Sequence, residues 1–524
     1  MTRVLILGGG HGGVRCAREL IRRRRASDSL DVTLVSRDSV EVWHGLMPQI
    51  ISSTLQAQHV LVPLREILPG VRVIVGEIRA IDLDGRRVTV AREDDEEETT
   101  LDFDVVVLAL GSVTDVSRFP GLAEHGLQTK TIGDFVHLRN HLVGLLDQAA
   151  LETDPDKQSQ LLTLVVAGAG FAGVEIAAET AEFLRRAARY YPGLRREDVR
   201  VIVLDIVERI LPAFNDRLAA LARQRLERLG VALRLGVGLA GATATAALLQ
   251  GGERIPTRTI IVTSGIAPNP LLLDLPVERV RGRVKVDRFC RAPGRPWVYA
   301  IGDGAALINE KSGDPLPPML AVALSQARCA ARNIIAGLRD STLVPCRFAG
   351  DTQVALLGPG YGLARLKGLT LQGRAGALAS RVRFLGYLQT WRRRLGLLLH
   401  WSGTAFFRDD ISPLPLGRTG ALVPMRFAAN DVIVREGEGA RRFYVITSGE
   451  VEVLQTANGK ETLLRRIGPG GTFGELGLME GGHRTATVRA LTDTSVLSID
   501  ASDFKLLMQH LPGALPISAE RSGR

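Results

Sequence analysis

The sequence predicts an α/β protein: two Rossmann-like units of doubly wound parallel sheet, then amphipathic helices, then a C-terminal β-roll. Three observations carry that prediction. A strand, glycine turn and helix follow one another at Val4–Gly13, the same pattern returns at Leu164–Gly173, and the region beyond Gly417 breaks into short alternating segments divided by glycines.

In the first pattern, Val4–Leu7 is an apolar run suited to a buried parallel strand, and Gly8, Gly10 and Gly13 follow at GxGxxG spacing. Cys16, Ala17 and Leu20 continue at helical spacing. A tight turn, close approach to a pyrophosphate and close helix packing all exclude a Cβ, and the helix start offers free N–H groups to phosphates. Val32–Val35 is the second strand; Ser36 stands where such a fold places a ribose-binding acid, with Arg37 and Asp38 after it. A serine hydroxyl can still hydrogen-bond a ribose. The loop Trp43–Pro48 either lies against a flat aromatic cofactor or packs as core. Val71–Val75, Arg86–Val90 and the acidic run Glu93–Glu98 suggest a small meander with an exposed hairpin loop, and Val105–Leu110 is another buried strand, ending in Gly111 and Ser112.

The second pattern has strand Leu164–Ala167, glycines Gly168, Gly170 and Gly173 at the same spacing, and a helix from Val174 through Glu179. Two such turns on one chain imply two nucleotide-binding domains. Strand Val201–Leu204 ends at Asp205, placed to accept both ribose hydroxyls of an adenosine. A carboxylate there repels a 2′-phosphate, so NADH is expected over NADPH. Glu175, early in the helix, either serves chemistry beside the bound nucleotide or complements the helix dipole. Strand Thr259–Thr263 ends at Ser264 and Gly265, and Trp297–Ala300 ends at Ile301, Gly302 and Asp303. The Asp303 carboxylate can accept hydrogen bonds from a ribityl chain and also cap a helix.

Composition narrows the function classes. A chain of 524 residues with 45% hydrophobic content has room for about three domains with sizeable cores. Cys16, Cys290, Cys329 and Cys346 show no CxxC spacing, so neither a disulfide framework nor a metal site is expected, and a reducing cytoplasm fits. No signal peptide and no membrane-spanning window are expected. The net charge of +10 reads as an arginine-rich solvated surface, Arg22–Arg25 as a helix end, and no nucleic-acid partner is expected.

From Ser380 to Phe407, apolar residues such as Val382, Leu388, Trp391 and Leu398 interleave with Arg381, Arg383 and Arg392–Arg394. This suits helices lying in an anionic membrane interface with arginines reaching the head groups; a core or homodimer face is the other reading. Ser412–Gly417 reads as a linker. Past it, Val432–Arg435, Phe443–Thr447, Glu450–Leu454 and Ser495–Ile499 alternate as roll strands.

Two resemblances follow from these motifs. Gly8–Gly13, Leu46–Pro48, Val62–Arg65, Leu108–Ser112, Gly168–Glu175, Ile210–Pro212 and Ala300–Asp303 look like the type II NADH dehydrogenase family over roughly residues 1 to 415. The resemblance implies interleaved domains: FAD bound by 1–118 and 268–340, NADH by 119–267, then a membrane-associating region and linker over 341–417. It also implies non-covalent FAD and electron transfer from NADH to a membrane quinone without proton pumping, on the cytoplasmic face of the membrane as a peripheral protein. Carried over, the first turn with Ser36, Arg37, Pro48, Gly111 and Asp303 would hold FAD. The second turn with Asp205 and Gly265 would hold NADH, and Glu175 would sit near the nicotinamide as the catalytic residue. The family carries two quinone-site glutamines four apart after a Pro-Pro; Ala321 and Ser325 stand in those places here, and Gln326 would face about 100° away. The residues therefore leave a soluble acceptor as the alternative to quinone, and a cyclic-nucleotide sensor with residual redox chemistry as a third reading. Sulfide:quinone oxidoreductases share the fold but need paired redox cysteines, of which there are none between Cys16 and Cys290.

The second resemblance covers 418–524. Phe473–Leu478 followed by Arg484–Val488, with glycines at Gly437, Gly449 and Gly468, resembles the phosphate cassette of cyclic nucleotide-binding domains. In that chemistry an arginine fork takes the cyclic phosphate, a glutamate takes the ribose 2′-OH and backbone N–H groups after Gly474 complete the anion site. Arg484 and Glu475 would have those roles, with cAMP as the expected effector. Thr485 offers a hydroxyl to a guanine amino group, which admits cGMP. His483 replaces the family's proline.

Overall fold

The computed structural model describes the chain except residues 92–97, 311, 349–352, 367, 389, 404–409, 414–421, 441, 458–459, 480–482, 502–503 and 505–524. Most of the acidic run, the end of the Ser380–Phe407 stretch and most of the Ser412–Gly417 linker lie outside the described residues.

Strand Thr2–Leu7 runs parallel to Leu30–Ser36 on one side and to Val105–Leu108 on the other. Its apolar residues are buried on both faces, Val4 and Ile6 against helix residues such as Ala17 and Leu20 and Leu5 and Leu7 against strand residues such as Val88, Val90 and Val284, leaving no side for polar alternation. Arg295–Ala300 extends the sheet beyond Val105–Leu108, and Arg72–Val75 closes its far edge in parallel. The meander expected to include Val71–Val75 is therefore different. That segment joins the main sheet, and the meander is Glu77–Asp82, Arg87–Ala91 and Glu98–Asp102.

A second sheet, all parallel, has the order Gly126–Gln128, Thr259–Val262, Thr163–Ala167, Arg200–Asp205, Val231–Leu235. The chain enters and leaves this unit through two short strands that pair antiparallel, Ser112–Thr114 with Ile266–Pro268. The first sheet is thus built from residues on both sides of the second. Buried side chains from both units share a core that includes Leu20, Leu46, Leu142, Val174 and Ile334.

Beyond the units lie a three-stranded sheet (Gln353–Leu356, Gly362–Leu366, Leu369–Gln372) and helices Gly373–Tyr387 and Trp391–Gly403. Among the described residues no helix is long and apolar enough to cross a membrane. The C-terminal roll has two antiparallel four-stranded sheets around Phe427, Tyr444, Ile446, Val451 and Val488. It packs on the second unit: Arg426 N–H donates to His125 Nε2 at 2.6 Å, Ala244 N–H to the Arg426 carbonyl at 3.1 Å, and ion pairs join Lys157 to Glu438 (2.8 Å) and Arg254 to Asp431 (3.1 Å).

Candidate functional site

The first glycine turn has the geometry its spacing demands. Gly8 sits at φ +118°, where its missing Cβ avoids the Ala109 carbonyl, and a Cβ on Gly13 would strike the Gly8 carbonyl oxygen. Gly10, at the start of helix His11–Arg23, faces open space instead, with the helix's first N–H groups aimed into it. Ser36 is buried beneath the turn, its hydroxyl against the place a Gly9 Cβ would take, while Arg37 is exposed beside Asp38. Gly111, at φ +68°, also fronts open space.

Around this opening run polar groups that spacing did not single out. Lys130 Nζ donates to Ser112 Oγ at 3.1 Å, and Ser112 Oγ donates to Asp303 Oδ2 at 2.9 Å. Burial holds the Lys130 ammonium below its usual range, with Asp303 partly offsetting it. Asp303 lies in a short 3-10 turn, Gly302–Gly304, that leads into strand Ala305–Leu307 rather than a helix, so its expected capping role is corrected. The turn's strand pairs with Arg283–Val286, which pulls the chain extended there. Gln326 is fully buried and its Oε1 accepts the Gly302 N–H at 2.7 Å, so it braces this turn. An open cradle at a helix start, a carboxylate and a lysine together fit FAD.

Beside the cradle opens a cleft of about 370 Å³. His11, Glu41 and Trp43 form one wall, Leu324 and Arg328 another, and Val382, Arg383 and Tyr387 a third. His11 Nδ1 meets the buried Glu41 Oε1 at 2.7 Å, and Trp43 stacks on Tyr387 with centroids 6.0 Å apart. The Trp43–Pro48 loop is therefore core on one side and cleft wall on the other, with Pro48 buried at the start of helix Pro48–Ile51. Burial pushes His44, in the same loop, down to about 4. Leu324 and Arg328 line the cleft in place of Ala321 and Ser325; Ser325 Oγ donates instead to the Arg347 carbonyl at 2.7 Å.

The second turn repeats the first. Gly168 has φ +122° against Thr263 and Ser264, a Cβ on Gly173 would collide with the Gly168 carbonyl, and Gly170 is open. Asp205 reaches over the turn: Oδ2 accepts the Ala169 N–H at 2.6 Å and Oδ1 the Val207 N–H at 3.2 Å. Gly265, at φ +81°, packs its missing Cβ against the Asp115 carbonyl. Glu175 stands on the second turn of helix Phe171–Ala187 and is buried, its Oε1 accepting the Leu356 N–H at 2.9 Å. Burial pushes Glu175 and its helical neighbour Glu179 each up to about 8.

Of the arginines expected to face a membrane, Arg381 turns inward, its guanidinium 5.1 Å from the Trp401 ring centroid and close to Glu179. Burial lowers its pKa, and Glu179 and the Trp401 face offset only part of that cost. The apolar residues divide: Phe384, Leu388 and Leu397 are buried, whereas Val382, Trp391, Leu395, Leu398 and Leu399 are exposed, Trp391 at 71%.

In the roll, the structure brings the cassette together. Arg484 is buried, Nη1 donating to the Gly474 carbonyl (3.0 Å) and Nη2 to the Arg442 carbonyl (2.7 Å), with Gly474 at φ +91° making room for it. Glu475 opens a short helix, Glu475–Met479; its Oε2 is buried without a hydrogen-bond partner among the described residues. A buried acceptor beside a buried guanidinium fits a cyclic nucleotide. Thr485 is exposed.

The expected lack of any pattern among the cysteines holds along the chain but not in space. Cys290, Cys329 and Cys346, distant in sequence, converge with their sulfurs within 4.8 Å of one another. Sequence spacing could not show it, because three separate segments supply them.

Comparisons agree with this geometry. Residues 2–330 match the family model described as pyridine nucleotide-disulphide oxidoreductase, and residues 424–510 match the cyclic nucleotide-binding domain model. The type II NADH:quinone oxidoreductase Ndh of Mycobacterium tuberculosis is 27% identical over 421 residues, covering 77% of this chain and 88% of that protein. The demethylphylloquinone reductase NdbB of Synechocystis is 28% identical over 406 residues, covering 76% and 95%. In fold, the chain resembles NDH2 from Plasmodium falciparum, solved in complex with NADH, with TM-score 0.71 at 16% identity over 78% of this chain and 99% of that one. With two glycine turns built alike and a family model spanning both, the chain belongs to the pyridine nucleotide-disulphide oxidoreductase family and carries a C-terminal cyclic nucleotide-binding domain.

Proposed function

We propose that this enzyme is a type II NADH:quinone oxidoreductase whose turnover is set by a cyclic nucleotide. The observation that carries the proposal is the aromatic cleft opening directly beside the first glycine turn, walled by Trp43 and Tyr387 and reached along helix Gly373–Tyr387. Bound FAD would supply the hydride and electron-transfer chemistry. The chain's residues supply position and charge. Gly10 and the helix start take the pyrophosphate of FAD, and Asp303, Ser112 and Lys130 hold its polar chain. Gly170 and Asp205 seat NADH, with Glu175 on the side of the nicotinamide. In the cleft, the stacked pair Trp43 and Tyr387 walls one side of a flat quinone ring and His11, fixed by Glu41, delivers a proton to its oxygen. Val382, on the cleft wall and 58% exposed, leads an apolar tail toward the exposed Leu378, Leu398 and Leu399. Those side chains and Arg392 rest on an anionic membrane surface at its cytoplasmic face.

The module's influence follows from one connection. The Glu438 carbonyl accepts the Arg484 N–H at 2.7 Å, and the Glu438 side chain pairs with Lys157 of the second unit, so ligand capture by Arg484 pulls on the NADH side.

The test separates the acceptor from the flavin. Tyr387→Ala should raise KM for a short-tailed quinone at least tenfold while leaving NADH oxidation by ferricyanide unchanged. Equal losses with both acceptors, or none with either, would remove the cleft from the quinone reaction.

A further inference from the structure

We infer that Cys290, Cys329 and Cys346 form a thiolate site for a thiophilic d10 cation, Zn2+ or Cu+, in the flavin unit. Cys290 sits at φ +68° in the turn between strands Arg283–Val286 and Arg291–Ala292, Cys329 lies on helix Leu320–Leu338, and Cys346 on the segment beyond that helix. Cys290 and Cys329 are buried and Cys346 is half-buried, which gives a route in from one side.

The spacing suits a metal. Metal–sulfur bonds of about 2.3 Å set sulfurs about 4 Å apart in a trigonal site, so the present separations of up to 4.8 Å close with sub-ångström shifts. A disulfide requires sulfurs about 2.05 Å apart and would leave the third thiol over. Soft thiolates alone, with no carboxylate or imidazole in the group, select soft d10 ions.

The surroundings are built to hold the three segments together. Fully buried Asn333 is the centre: Nδ2 donates to Cys329 Sγ (3.3 Å), to the Phe289 carbonyl beside Cys290 (3.3 Å) and to the Val344 carbonyl (3.0 Å), and Oδ1 accepts the Val344 N–H (2.8 Å). The Cys346 N–H donates to the Arg288 carbonyl at 2.7 Å, and Ser325 Oγ lies 3.9 Å from Cys346 Sγ. An outer ring of this kind orients metal ligands. Arg332 lies near Cys329 and Cys346 and offsets thiolate charge. Binding exchanges three protons for the ion: Zn2+ and three thiols give a trithiolate anion and three H+, and Cu+ gives the dianion.

The site has a place in the fold. Ser325, where the family resemblance puts a glutamine, faces this cluster instead, and Gln326 on the same helix braces the Asp303 turn.

The test uses reduced, FAD-loaded, full-length protein freed of metal, titrated with Cd2+ alone and followed by its ultraviolet thiolate charge-transfer band. Zn2+ competition and Cu+ transfer from a bicinchoninate complex then rank the two ions. We expect one saturable site per chain, at least 100-fold weaker in Cys290→Ser, Cys329→Ser and Cys346→Ser, and unchanged in Cys16→Ser. Asn333→Ala should weaken it roughly 10- to 100-fold. FAD content of each variant reports folding, and Cys346→Ser, half-buried, is the variant to rely on if the others do not fold. No saturable band, binding undiminished in a folded Cys346→Ser, or only two free thiols in denatured, non-reduced protein would overturn the assignment.

Discussion

Changing Asp205→Asn removes one negative charge at the end of its strand while keeping the side chain's size and one oxygen for the glycine turn. The carboxylate accepts two backbone N–H groups, from Ala169 and Val207, so it is fixed rather than free to swing away from a bound adenosine. A 2′-phosphate would come within about 5 Å of it. Two unit charges at that distance repel by about 3 kcal/mol at an effective dielectric of about 20. The site is half-buried and salt screens it, so roughly 1 to 2 kcal/mol is the realistic discrimination, or about 5- to 30-fold against NADPH. The variant should bring the two nucleotides within about threefold of each other. NADH itself should bind less well, because the new amide turns an NH2 toward one of the two donors. The assay is anaerobic stopped-flow reduction of the bound flavin, with NADH and NADPH titrated separately. Equal rates with both nucleotides in the wild type, or an unchanged ratio in the variant, would refute the role given to Asp205.

Three further outcomes are expected. Glu175 and Glu179 are held protonated by burial, so the folded state binds protons that the unfolded state has released above about pH 4.5; stability should fall as pH rises from there through about 8, and Glu175→Gln with Glu179→Gln should flatten that slope in thermal melts. Arg484→Ala should abolish cyclic nucleotide binding by calorimetry and leave ligand-free NADH oxidation intact, whereas Lys157→Ala should keep binding and lose at least half of any ligand effect on turnover; a full effect in Lys157→Ala would place the coupling elsewhere. Replacing exposed Trp391, Leu395 and Leu399 with serine should reduce cosedimentation with anionic liposomes severalfold without loss of FAD, and undiminished binding would assign that face to protein contacts.

The parts of the fold that were legible in sequence are those governed by local rules. Glycine turns need φ values that only glycine adopts cheaply, and fully buried strands need unbroken apolar runs, so Gly8, Gly168, Val4–Leu7 and Leu164–Ala167 announced themselves. Arg484 and Glu475 were visible for a similar reason, lying within a short cassette. What stayed hidden depends on distant segments meeting. Lys130 reaches Asp303 through Ser112, His11 finds Glu41, and three cysteines from three segments converge; none has a spacing to read. Arg381 was misread because an amphipathic pattern does not say which arginine a buried glutamate will claim.

The paired strands Ser112–Thr114 and Ile266–Pro268 also bear on the order in which the chain can fold as it is made. The first sheet lacks Arg295–Ala300 until some 190 residues after Val105–Leu108 have been synthesised, so the flavin half must wait as an incomplete layer with one open edge. The second unit has its whole parallel sheet between Gly126 and Leu235 plus Thr259–Val262, and can close first. Once it does, its two ends lie side by side, and the long excursion shrinks to a short link whose closure entropy is small. Completion of the flavin half then becomes nearly local. A ribosome-stalled chain from which Pro268 has emerged should therefore resist protease across the second unit while Thr2–Leu108 is still cut, and protection of both would come only after Ala300 has emerged.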